Sequence, residues 1–209
     1  MMNRINKILP LIAVLLLLNS PAFCDTANDY LQSGLSKKAK GDLVGAVTDY
    51  TKAIELKTNF AKAYYYRGIA KYKREDFTGA IADYDQAIKF KPDYAAAYMN
   101  RGVAKGRKGD SDGAIADFSK SIELKPGDEL AYNNRGNAKS DKGDLDGAIA
   151  DYTKAIKLNR DYVSPYVNRG DAKRAKGDLE GARADYKKAL ELKPGYEEAQ
   201  KRLEELNKK

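Results

Sequence analysis

The sequence predicts an all-α protein, a solenoid of five stacked helix-turn-helix units closed by a C-terminal helix. Three observations predict it. Gly34, Gly68, Gly102, Gly136 and Gly170 recur every 34 residues without a gap, and so do Ala46, Ala80, Ala114, Ala148 and Ala182. Two aromatic series keep the same step: Tyr30, Tyr64, Tyr98, Tyr132, Tyr166, and Tyr50, Tyr84, Phe118, Tyr152, Tyr186. Within a period, apolar residues fall at helical spacing and are punctuated by turn residues. One such hairpin cannot bury its apolar face alone, so the copies must stack.

The elements follow in order. Residues 1–24 differ from the rest: Arg4 and Lys7 precede an apolar run from Ile8 to Leu18, then small residues lead to Ala22-Phe23-Cys24. Charge, apolar core and small residues in that order describe a secretory signal peptide, and the run is too short for a permanent membrane anchor. Cleavage is expected after Cys24, with Ala22 as second choice, so the protein is expected to be exported, periplasmic or secreted. A lipidated Cys24 is the rival reading; Phe23 stands against it, where Gly or Ala normally precedes such a Cys. Cleavage after Cys24 would leave no Cys, which suits an oxidising compartment.

The units run 27–60, 61–94, 95–128, 129–162 and 163–196. In the third, Ala95 to Lys108 reads as a first helix, Gly109-Asp110 as a turn with a candidate N-cap, and Gly113 to Leu124 as a second helix stopped by Lys125-Pro126-Gly127. Gly102 and Ala114 let the two backbones approach, with Tyr98 and Phe118 filling the space around them. Residues 197–209 form the terminal helix, where Ala199, Leu203 and Leu206 make an apolar stripe and the other face is charged. An open solenoid needs such a cap for solubility.

Composition excludes several function classes. There is no His, and Cys24 is the single Cys. A Ser-His-Asp or Cys-His arrangement is therefore impossible, as are an intramolecular disulfide and a multi-Cys metal site. Glycines sit singly at repeat positions, so there is no phosphate-cradling loop. No enzyme activity, cofactor or metal is expected. The net charge of 38 − 30 = +8 also recurs with the repeat. Arg67, Arg101, Arg135 and Arg169 share one position and are expected to pair, each within its own unit, with Asp83, Asp117, Asp151 and Asp185. Lys37, Lys71, Lys105, Lys139 and Lys173 share another position, as do Lys40, Arg74, Lys108, Lys142 and Lys176. Both rows lie in last turns of first helices, where cations complement the macrodipole. A nucleic-acid partner is not expected.

These motifs resemble the tetratricopeptide repeat family over residues 27–196. The third unit carries the family signature in Tyr98, Gly102, Ala114, Phe118 and Pro126, with Ser121 replacing an Ala. Thr58 and Arg160 replace the Pro in the first and fourth units, and Arg67, Arg101, Arg135 and Arg169 stand where the family favours Leu. The resemblance implies a right-handed superhelix with first helices lining a concave face that binds extended peptides.

On that face the second unit offers Lys62, Tyr65, Tyr66, Ile69, Tyr72 and Lys73, and the third Met99, Asn100, Val103 and Arg107. The fourth offers Asn133, Asn134, Asn137 and Asp141, and the fifth Val167, Asn168, Asp171 and Arg174. Asn100, Asn134 and Asn168 form a ladder at one repeat position; an amide donates and accepts at once, as a peptide group does. Equally, these residues could simply be polar and exposed there, or bond to a neighbouring unit. Tyr65, Tyr66, Tyr72 and Met99 make one end aromatic, and Tyr is enriched at recognition surfaces. The carboxylate clamp of tetratricopeptide cochaperones is not supported: of the corresponding Met99, Val103, Asn134, Ser164 and Asn168, only one matches.

The function expected is a non-catalytic scaffold for an extended segment of a protein partner. The alternatives are a structural or self-assembling part of an envelope complex, including a homo-oligomer, and recognition of an anionic envelope polymer by the Lys-rich surface. Membrane association is expected only through lipidation at Cys24 or through a partner.

Overall fold

The computed structural model describes residues 26–207; the apolar leader, both cleavage points and Cys24 lie outside the described residues. Among the described residues eleven helices follow one another and no strand forms. The first unit is α1 (Ala27–Ala39) and α2 (Leu43–Leu56), the second α3 (Ala61–Lys73) and α4 (Phe77–Phe90), and the third α5 (Ala95–Arg107) and α6 (Ser111–Leu124). The fourth is α7 (Glu129–Asp141) and α8 (Leu145–Leu158), the fifth α9 (Val163–Ala175) and α10 (Leu179–Leu192), and α11 (Glu197–Asn207) closes the stack.

The second helices begin where an aspartate tells them to. Asp42, Asp76, Asp110, Asp144 and Asp178 each accept a hydrogen bond from the backbone N–H three residues on, at 2.8–2.9 Å. That N–H satisfies the aspartate, so the glycine bearing it is already the third helical residue. The second helix of the third unit therefore starts at Ser111, two residues before the expected Gly113. The first helix of that unit ends at Arg107, with Lys108 as its C-cap.

Each hairpin closes around one aromatic residue. A Cβ at Gly102 would stand 2.8 Å from the Phe118 ring, and one at Gly136 2.6 Å from Tyr152, so only glycine admits the ring there. Phe118 fills that space, and the Tyr98 ring lies 5.3 Å beneath the Arg101 guanidinium. At the turn between helices, Gly41, Gly109, Gly143 and Gly177 take positive φ, and Glu75 takes the same left-handed conformation in the second unit.

Each second helix packs on both its own first helix and the next unit's. Successive first helices also touch one another, whereas successive second helices stand further apart. The first-helix side is therefore the tighter, inner side of the stack. The buried arginine pairs lock this arrangement. Arg67, Arg101, Arg135 and Arg169 each grip the aspartate of their own unit with Nε and Nη2, at 2.5–3.0 Å. The remaining Nη1 reaches back to the preceding unit, to Thr51, Asp85, Ser119 and Thr153. Lys71, Lys105, Lys139 and Lys173 complete each cluster with a second cation on the same carboxylate. These aspartates are buried, so removing one would leave two cations facing each other.

Both ends are finished differently. Thr26 and Asp29 form a reciprocal capping box at the start of α1. Ser33, which stands in the arginine position, donates to Asp49 at 2.6 Å. At the other end α11 buries Ala199 and Leu206 against Tyr166, Val167 and Tyr186. Arg202 pairs with Asp171 at 2.9 Å and Glu205 with Arg174 at 2.8 Å. The inward positions of the fifth unit are thus covered by α11, and Val167 is buried there.

Candidate functional site

The inner face is a row of five first helices, and its chemistry changes along the row. In α3, Tyr65 packs half-buried near Tyr84, and its ring lies 4.7 Å from that of Tyr94. Burial pushes the Tyr65 phenol up, Tyr66 adds to this, and a hydrogen bond from Asn100 pulls it partly back. Tyr66 meets Tyr65 edge-on at 5.2 Å and stacks on Tyr50 at 6.1 Å. Tyr72 lies 5.3 Å from Phe77. Met99 and Val103 in α5 pack half-buried against Ala114 and Phe118. The aromatic and apolar residues expected at this end fall in three packing clusters, Tyr66 in the first, Tyr65 and Tyr72 in the second and Met99 in the third, and much of each ring is spent on packing.

The asparagine ladder is not uniform. Asn100 Nδ2 donates to the Tyr65 hydroxyl at 3.1 Å. Asn168 Nδ2 donates to Asn133 Oδ1 at 3.1 Å and to Asn137 Oδ1 at 3.0 Å. Each of these amides bonds to the residue 35 positions earlier, one place before the ladder position in the preceding unit. For Asn134 that residue is Met99, which offers no comparable acceptor. Asn134 accordingly makes no side-chain hydrogen bond among the described residues, although it is half-buried. Asn133 is 4% exposed, and Asn137 also accepts from the Tyr152 hydroxyl at 2.9 Å. These two therefore build the wall that holds Asn168 rather than an open contact surface. Arg107 is exposed on α5.

One residue of this face was missed. Leu130 is 48% exposed on α7, one helical turn before Asn134 and on the same side of the helix. Its equivalents are Asn28, Lys62, Ala96 and Ser164, so a lone leucine at an otherwise small or polar repeat position was the available signal. Leu130, Met99 and Val103 thus bring apolar surface to the neighbourhood of the unengaged Asn134 amide.

The repeated tyrosines of the second helices reach the floor of the same face. Tyr152 and Tyr186 hydroxyls donate to Asn137 and Asp171. Tyr50 has Leu35 at the corresponding position, and its buried hydroxyl finds no partner among the described residues. Burial, with smaller contributions from Tyr66 and Asp49, pushes its phenol up to about 12. Among the described residues no cluster of acidic side chains could hold a metal ion, and no helix is long and apolar enough to cross a membrane.

Comparison with known proteins agrees with this architecture. A family model described as TPR repeat matches residues 34–74, 68–109, 136–173 and 170–203, and one described as tetratricopeptide repeat matches 95–128. Among solved structures, a crystal structure of MamA is similar at 27% identity, covering 80% of this chain and 92% of that one, with a TM-score of 0.76. A MamA structure from Desulfovibrio magneticus RS-1 is 21% identical over 82% of this chain and 97% of its own, with a TM-score of 0.78. YrrB, described as a TPR protein with an unusual peptide-binding site, is 20% identical, covering 92% of this chain and 97% of its own at a TM-score of 0.75. No curated protein matches in sequence.

Proposed function

Because the chain belongs to the tetratricopeptide repeat family, we propose that it is a non-catalytic scaffold holding an extended segment of a partner protein along its first helices. The observation that carries this reading is Asn134. Its repeat-mates Asn100 and Asn168 are bonded to the preceding unit, while its own amide is unengaged and lies on the same helical face as exposed Leu130. A half-buried amide without a partner is costly unless a ligand or water completes it, and a peptide group supplies both a donor and an acceptor. YrrB, a similar fold, is described as having a peptide-binding site. The order of charge, apolar run and small residues at the amino terminus supports reading this scaffold as an exported one.

The test is capture of partners by the chain lacking residues 1–24, followed by titration of the captured segment as a synthetic peptide. Asn134→Ala should weaken that peptide about tenfold, as expected for lost hydrogen bonds worth about 1.4 kcal/mol. The melting temperature should stay unchanged. An unaltered affinity would remove Asn134 from the site and with it this reading.

A further inference from the structure

We propose that the half of the groove built by the first three units receives an acidic stretch of the partner chain, its carboxylates engaging Lys38, Lys73 and Arg107. This rests on the peptide-groove reading above and adds the chemistry of the ligand.

Most cations of the first helices are already satisfied. On the first helices, Arg67, Arg101, Arg135 and Arg169 and the lysines four residues after each of them bind buried aspartates, and Arg174 binds Glu205. Lys38, Lys73 and Arg107 have no carboxylate partner among the described residues. They stand one per unit on α1, α3 and α5, near the carboxyl ends of those helices.

The charges of two of them, Lys38 and Lys73, act on each other. The Lys38 ammonium lies over the Tyr66 ring, 4.9 Å from its centre. Burial, and then the charge of Lys73, hold the Lys38 amine below the ordinary lysine range. The loop aspartates that follow these helices do not relieve this. Asp76 and Asp110 are turned into the caps of α4 and α6, each accepting from a backbone N–H at 2.8 Å. A surface left with like charges and no counter-ion is complementary to an anionic ligand.

The unpaired charge stops at the third unit. The equivalent places in the fourth are Ser140 and Asp141, and in the fifth the already paired Arg174 and Ala175. Exposed Lys62, also without a carboxylate partner among the described residues, adds a second cation on α3, so the charge runs along part of the groove, beside Tyr66 and Tyr72, and ends before Asn134. Aromatic contact area and an amide anchor suit a polypeptide better than a bare polyanion, which would gain from neither.

The experiment compares two pools of short synthetic peptides, alike except that one carries Glu where the other carries Gln, by fluorescence anisotropy with the chain from residue 25 onward. The Glu pool should bind more tightly. The double reversal Lys73→Glu/Arg107→Glu, both exposed, should weaken it by about tenfold or more. The matched reversal Lys157→Glu/Lys187→Glu, on the outer helices, should change it less than about twofold. Lys38→Gln, a milder change, should act in the same direction as the groove reversal. Equal loss with the outer reversal, no preference for Glu over Gln, or tighter binding of inorganic polyphosphate than of the Glu pool would each overturn the proposal. Gln-pool binding that is lost on Asn134→Ala but indifferent to charge would leave the groove reading standing without its acidic ligand. If neither pool binds, both fall together.

Discussion

Glu75 is the one non-glycine among the described residues with positive φ, at 63°, where four other units place glycine at the same turn. A side chain in that conformation costs about 1–2 kcal/mol, part of which glycine returns through its freer unfolded chain. Glu75→Gly should therefore raise stability by about 1 kcal/mol, read as a melting temperature about 2–4 °C higher. No change would mean that the turn stores no strain. At this scale the sequence was readable wherever a residue's role repeats. Gly102 under Phe118 and the aspartate caps are local rules written five times. Asn134 was readable as a type but not as a state. Whether its amide is engaged depends on residue 99, which lies 35 positions earlier and comes beside it only once the units stack. Leu130 escaped because its meaning is its exposure, which no local pattern encodes.

Pairs of helices are held by charge clusters as well as by apolar burial. Asp151 receives Arg135 and Lys139, with its own side chain 6% exposed and theirs 19% and 21%. Removing the carboxylate leaves two neighbouring cations and frees Arg135 from its third contact, Ser119 of the preceding unit. Asp151→Ala should cost roughly 3 kcal/mol in urea denaturation. Asp146→Ala, which breaks only the exposed tie to Lys176, should be indistinguishable from wild type. Equal effects would show that burial does not govern these pairs. The own-unit pairing was legible because a constant separation of 16 residues joins every Arg to its Asp. The backward contact of each arginine was not, since Thr51, Asp85, Ser119 and Thr153 differ in chemistry and share only a place. Both recurrent lysine rows looked alike in sequence, yet one completes buried clusters and the other forms C-caps, three of which tie to the preceding unit.

Across the whole molecule, five nearly identical hairpins make a surface that is not identical along its length. Core positions must repeat because each unit packs on a copy of itself, so individuality collects on the inner face. There the first three units carry unpaired cations and tyrosines, the fourth an unengaged asparagine beside Leu130, and the fifth is closed off by α11. That closure was only half foreseen. The terminal helix was legible as a cap from Ala199, Leu203 and Leu206, but its ion pairs to Asp171 and Arg174 take those residues out of the groove. A partner is expected to lie along this inner face across the third and fourth units. A photocrosslinking amino acid placed at Leu130, and separately at Ala150 on the outer helix α8, tests it most directly with the captured partner. Crosslinks from Leu130 and none from Ala150 are predicted; crosslinks from Ala150 alone, or equally from both, would contradict it.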